Sequence, residues 1–353
     1  MTLMTLSARR YSLRGRPTAR NAVRGLTLVE LMIAMMLGLL VVGSASAIFI
    51  SNRQTYRATE GLGRVQENGR MAFELLSRDL REAGGTPCGN ADRQEPLKMV
   101  NVLTNPTTRW WTNWNNGITG YEGTIPLGSP ANRVAGTDAI DLMGGDSSSS
   151  AVVSSHDPLA TSITLNTADH AFNVSDLAVI CDWSQASLFQ VTGVAGNVLL
   201  HNNSGTPGNC SKGLGYSNPA TCSVNGKVKR FGPIPSETNA SATVIRMQPM
   251  RWYVGTAPGG GNSLFRTTVV NTAGVLTVRE QEIAQGVNDM ELQYLLEGAP
   301  GYVDATAIPA NRWNDVTAVR VTLDMLSADG AGVGGAQLAR RVAHTVTLRN
   351  RME

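Results

Sequence analysis

The sequence predicts an α+β fold: one long N-terminal α-helix, apolar and then amphipathic, packed on an antiparallel β-sheet domain. Three observations carry this. No proline occurs between Leu26 and Ala83. The first half of that stretch is almost wholly apolar, and the second half has apolar residues at helical spacing. The last third of the 353-residue chain is dense in short alternating segments. A helix with one apolar stripe needs a covering layer, and strands with one apolar face supply it.

Residues 1–25 contain Arg9, Arg10, Arg14, Arg16, Arg20 and Arg24 and no acid. Removing them takes the basic count from 30 to 24 against 27 acids, so the formal charge goes from +3 to −3. The basic balance is therefore a property of this leader, and it gives no support to nucleic-acid contact. A positive leader before an apolar run keeps the N-terminus in the cytoplasm and sends the rest of the chain outward. From Leu26 to Ile50 the run is long enough to cross a ~30 Å hydrocarbon layer. Its single charge is Glu30. An acid inside a spanning helix costs at least ~2.5 kcal/mol on insertion scales and so asks for a function. The plain reading is an anchor with a tolerated acid near its rim. A second is an ordinary secretory signal cut after Ala45-Ser46-Ala47, which leaves Glu30 without a role.

Residues 51–85 continue the helix in amphipathic form. Tyr56, Leu62, Val65, Ala72, Phe73, Leu76 and Leu80 make one stripe, and Glu60/Arg64, Glu74/Arg78 and Arg78/Glu82 are pairs at four-residue spacing on the wet side. Gly61, Gly63 and Gly69 are expected to let the helix bend or melt locally. Gly84-Gly85 and then Pro87 stop it. Residues 86–353 are expected to form a β-rich domain facing the periplasm. Thr137–Met143, Ser162–Leu165, Leu177–Cys181, Ser187–Val191 and Val198–Leu200 read as strands, as do Met250–Gly255, Ser263–Val269, Val275–Glu280, Met290–Leu296, Thr317–Leu326 and Arg341–Leu348. Asn101–Tyr121 and Asn202–Gly226 read as long irregular insertions.

Gly25, an apolar residue, Thr27-Leu28-Val29-Glu30-Leu31 and the continuing apolar helix resemble the prepilin signature of type IV pilins and pseudopilins. The resemblance implies that a prepilin peptidase cleaves after Gly25 and that the new amino group of Leu26 is N-methylated; the family more often has phenylalanine there. It implies that Glu30 meets the N-terminal amine of a neighbouring subunit during assembly. The C-terminal segments narrow it. Trp252-Tyr253-Val254-Gly255 leading to Leu264-Phe265-Arg266, then Gly286 to Tyr294, Val316 to Leu326 and Arg340 to Arg351, resemble the PilW family of minor pilins, which is also similar to the J-type minor pseudopilin of type II secretion. The PilW resemblance implies a structural subunit of the fimbrium, without enzyme activity or cofactor. Its partners would be other minor pilins and the major pilin, with inner-membrane lipid before assembly. It would prime assembly in a tip complex of a pilus that serves twitching motility, DNA uptake or attachment. The J-type alternative would prime a secretion pseudopilus, and the long middle insertions favour the pilus form.

Four cysteines, Cys88, Cys181, Cys210 and Cys222, come after the membrane segment, so an oxidising periplasm allows them to pair. Four permit three connectivities. Cys210 and Cys222 flank a Gly/Ser/Asn-rich loop and are expected to close it, which leaves Cys88 to bond Cys181. A zinc site lacks short paired spacings and histidine support. Gly145-Asp146-Ser147 and Ser155-His156-Asp157 hold the residue types of a hydrolase triad but read as solvated loop without a nucleophile turn. Asp138, Asp141 and Asp146 fit no twelve-residue calcium loop, and no metal is expected. His344 reads as a hydrogen-bonded rim residue. Trp110, Trp111 and Trp114 are the one candidate surface-binding group, a platform of indoles for a sugar or protein, although such residues more often pack a long loop onto its own domain.

Overall fold

A computed structural model describes residues 25–90, 98–114, 117–124, 126–216, 226–233, 241–328, 330 and 332–351. Helix α1 spans Leu28–Glu82, 55 residues without interruption. The chain divides into two compact units, residues 1–55 and 56–353, so the second unit begins inside the amphipathic half of the helix rather than after it. In the first unit every described residue is exposed, on all sides of the helix.

In the second unit the predicted stripe is buried from Val65 onward: Val65, Ala72, Leu76 and Leu80 are in the core, whereas Tyr56 and Leu62 are exposed. The buried residues recur at three- and four-residue steps because that is the period that returns a helix to one face. Gly69 lies on the same face. A β-carbon there would sit 2.7 Å from Met325 Sδ, so its bare backbone admits a neighbouring side chain; close approach, not bending, is what the structure uses it for. Of the expected charge pairs, Glu60–Arg64 forms at 2.6 Å, while Arg78 lies 3.6 Å from Asp79 instead. The helix ends where predicted. Gly84 takes a left-handed φ of 72° and its N–H donates to Met143 O at 2.7 Å, and Asn350 Nδ2 donates to Glu82 O at 3.2 Å.

Two large sheets carry most of the rest, beside two short two-stranded ribbons, Gly85–Thr86 with Gly89–Asn90 and Leu214–Tyr216 with Lys227–Val228. The larger has eleven strands around Thr243–Thr256. One edge of that strand pairs with Ala139–Asp157; the other pairs first with Leu177–Cys181 and then with Asn262–Thr272, which continues into Val275–Gln285. The sheet is mixed, because Lys98–Asn101 joins Gln185–Gln190 in parallel. The expected all-antiparallel sheet is corrected at this one pair. The second sheet is antiparallel, in the order Tyr302–Asp304, Val287–Leu296, Val316–Leu326, Ala339–Thr347. Helix residues Leu76 and Leu80 share one core cluster with Ile140 and Trp252 of the larger sheet and with Leu292, Val321 and Val346 of the smaller one. Both sheets therefore close on the same helix stripe.

A buried polar link adds direction to this packing. Asp79 of the helix accepts hydrogen bonds from Trp252 Nε1 at 3.1 Å and Arg266 Nη1 at 3.4 Å. Burial raises the Asp79 pKa, and the arginine beside it pulls the other way. The single strand Ala139–Asp157 also absorbs both Ser/His/Asp-type segments, correcting their reading as loop. Alternation turns His156 into the core and leaves Ser155 and Asp157 outside.

Candidate functional site: the exposed N-terminal helix

Gly25, Leu26 and Thr27 precede the helix in non-helical conformation. Among the described residues, none outside its chain neighbours lies within 4 Å of the position a β-carbon on Gly25 would take. Thr27 caps the helix: its Oγ1 accepts the Glu30 N–H at 3.2 Å, and its carbonyl accepts the Leu31 N–H at 3.1 Å. The pattern Thr-x-x-Glu is the sequence signal for such a start, and it is what marks Thr27 as the cap. It places Glu30 in the first turn, where the helix dipole favours a negative charge.

From Leu28 to Ile50 the side chains point outward and, apart from Glu30, Ser44 and Ser46, are apolar. Leu28 is 74% exposed and Phe49 67%. The hydroxyl of Ser44 donates to Leu40 O at 2.8 Å, leaving no free donor there. Soluble proteins rarely leave continuous apolar surface beyond a few hundred Å² uncovered. A segment this long, with its backbone bonds satisfied internally, suits lipid or the helices of other subunits. Glu30 is the one feature that lipid does not suit.

The other predicted sites resolve differently. Cys88 and Cys181 form a disulfide, tying the segment after the helix to strand Leu177–Cys181. Cys210 is disulfide-bonded as well, and Cys222 lies outside the described residues. Trp110, Trp111 and Trp114 form no exposed platform. All three are buried, in a cluster with Met143, Leu188 and Met247. Two 3-10 turns, Pro106–Thr108 and Trp110–Thr112, fold them inward, and Thr112 Oγ1 closes the turn by donating to Pro106 O at 2.7 Å. The Arg251 guanidinium lies 4.6 Å from the Trp110 ring centre. Arg251 is itself fully buried, donating from Nε and Nη2 to Asp141 at 2.5 and 2.8 Å and from Nη1 to Leu127 O and Gly128 O. A buried cation is costly unless it is paired and hydrogen-bonded, and here the carboxylate and two carbonyls take four of the five guanidinium N–H groups.

His156 Nδ1 accepts the Phe231 N–H at 3.0 Å, so the His156 proton sits on Nε2, 3.0 Å from His201 Nε2. Burial lowers the His156 pKa to about 3 and that of His201 to about 4. Both rings are neutral core groups. Glu122, Asp138 and Glu291 each bring one oxygen within 4.8 Å of the others, the arrangement among the described residues nearest to a metal site. Asp138 is already occupied, accepting the N–H of Gly123 and of Leu292. Its pKa is raised chiefly by burial. His344 is exposed with its ring 4.0 Å from that of Phe73.

Residues 20–46 match the family described as the prokaryotic N-terminal methylation motif. The match covers the arginine-containing end of the leader, the Gly25–Leu26 bond, Glu30 and most of the apolar run, and it supports a pilin or pseudopilin. A prepilin-type motif of this kind implies processing by a prepilin peptidase and assembly with other pilins. A search of curated proteins finds none that matches the chain.

Proposed function

We propose that the protein is a minor pilin of the type IV pilus, similar to the PilW family, and that it primes fibre assembly within a tip complex of minor pilins. One observation carries the reading: an uncovered apolar helix whose only charge, Glu30, stands one turn from the amine that cleavage at Gly25 would create. Before assembly the helix holds the subunit in the inner membrane, with the β-domain in the periplasm. In the fibre, Glu30 pairs with the methylated amine of Leu26 on a neighbour, and each charge relieves the desolvation of the other. The protein's role is structural, and the chemistry is performed on it by the peptidase.

Deletion of the gene tests this. Loss of surface fibres by electron microscopy, with restoration on complementation, is expected. Normal fibres together with loss of type II secretion would overturn the pilus reading in favour of the J-type one.

A further inference from the structure

Among the described residues, strand Ala339–Thr347 is the outer edge of the four-stranded sheet and pairs only with Val316–Leu326. An antiparallel strand at an edge turns half of its backbone N–H and C=O groups outward. The helix does not cover this edge. A groove of about 430 Å³ runs between them, floored by Phe73, Val342 and His344. Arg70 and Arg81 line it from the helix and Arg340 from the strand; all three are exposed, and Glu74 is the only acid lining it. None of the three arginines makes an ion pair with a described residue, whereas the adjacent Arg341 is held by Asp324 at 2.6 Å. The groove thus combines an open sheet edge, an apolar floor and three arginines without an ion pair among the described residues.

The geometry points to a docking site for an acidic, extended segment of a partner protein, which adds to the sheet as a strand beside Ala339–Thr347. Arg340, Val342 and His344 share one face of the edge strand, so an added strand would present alternate side chains to the same groove. Acids at those positions meet Arg70, Arg81 and Arg340; apolar residues between them extend the floor. Charged residues on an edge strand normally prevent indiscriminate pairing. Here their common sign rejects basic strands and admits acidic ones, which is selection by electrostatic complementarity. This inference concerns the folded domain and does not depend on leader processing.

Full-length protein in detergent micelles tests it, with nine-residue fluorescent peptides matched to the length of the edge strand. One alternates glutamate with valine, one alternates lysine with valine, and one has the glutamate composition interrupted by prolines. The glutamate–valine peptide is expected to raise anisotropy and to slow amide hydrogen exchange across residues 339–347. The other two should bind at least about tenfold more weakly. The double variant Arg70→Glu, Arg340→Glu should lose a similar factor while keeping the wild-type Tm, because both side chains are exposed. Equal binding of the proline-interrupted peptide would show charge attraction without strand addition and would overturn the proposal. So would no exchange protection with the acidic peptide, or protection induced instead by vesicles containing phosphatidylglycerol.

Discussion

Replacing Asp141 by alanine removes the carboxylate that matches Arg251, the most deeply buried cation among the described residues. Arg251 would keep Leu127 O and Gly128 O on Nη1 but would lose the partners of Nε and Nη2. Both residues are almost completely buried, so water cannot substitute without opening the structure. Breaking such a pair from one side costs about 3–5 kcal/mol. At roughly 2–4 °C per kcal/mol for a large domain, the Tm should fall by about 6–20 °C. The loss should also be local, since Arg251 holds the 126–133 segment through those two carbonyls and stacks on Trp110. Thermal unfolding of detergent-solubilised protein reads the first effect, and hydrogen exchange across residues 126–133 reads the second. The double variant Asp141→Leu, Arg251→Met removes both charges and should recover most of the stability. A single Asp141→Ala variant within about 1 kcal/mol of wild type would refute the reasoning.

The same structure sets three further outcomes. Cys88→Ser opens a link across 93 residues and should cost roughly 2–5 kcal/mol under non-reducing conditions, with no difference once wild type is reduced. His156 and His201 have folded pKa values near 3 and 4, below the usual 6.5, so the unfolded chain binds more protons in that window. Stability should therefore fall as pH drops from 6.5 towards 4, and a His156→Gln, His201→Gln variant should show a flatter Tm–pH slope; an unchanged slope would count against the neutral pair. Glu30→Ala should be processed and inserted but co-purify with partner pilins at about a hundredth of the wild-type level or less, given about 3–5 kcal/mol for one-sided loss of a buried pair. Glu30→Gln should be intermediate, and wild-type co-purification of Glu30→Ala would make the acid incidental.

Local signals in the chain are enough for the helix, its stop at Gly84 and most strand positions. These are properties of period and punctuation, which neighbouring residues express whatever the tertiary structure. The Gly25–Glu30 signature is legible for the same reason. Partnerships over long sequence distances are not. The parallel pairing of Lys98–Asn101 with Gln185–Gln190 leaves no mark on either strand. Asp79 reads as one more charge on a helix until Trp252 and Arg266 close over it, and Asp141 and Arg251 lie 110 residues apart. Trp110, Trp111 and Trp114 leave two readings open in the sequence, a binding platform or the packing of a long loop onto its own domain, and two short turns decide for packing by folding the indoles inward. His156 is hidden by the serines and aspartates around it, although strand alternation alone separates its face from theirs.

The central claim is that the leader ends at Gly25 and that the helix beginning beside it is an assembly element. Mass spectrometry of the mature protein from its native membrane tests this most directly. The expected result is a chain that starts at N-methylated Leu26 and a species of unprocessed mass when Gly25 is replaced by a bulky residue. A mature chain that starts at Met1, or at Ile48 after cleavage behind Ala47, would contradict it.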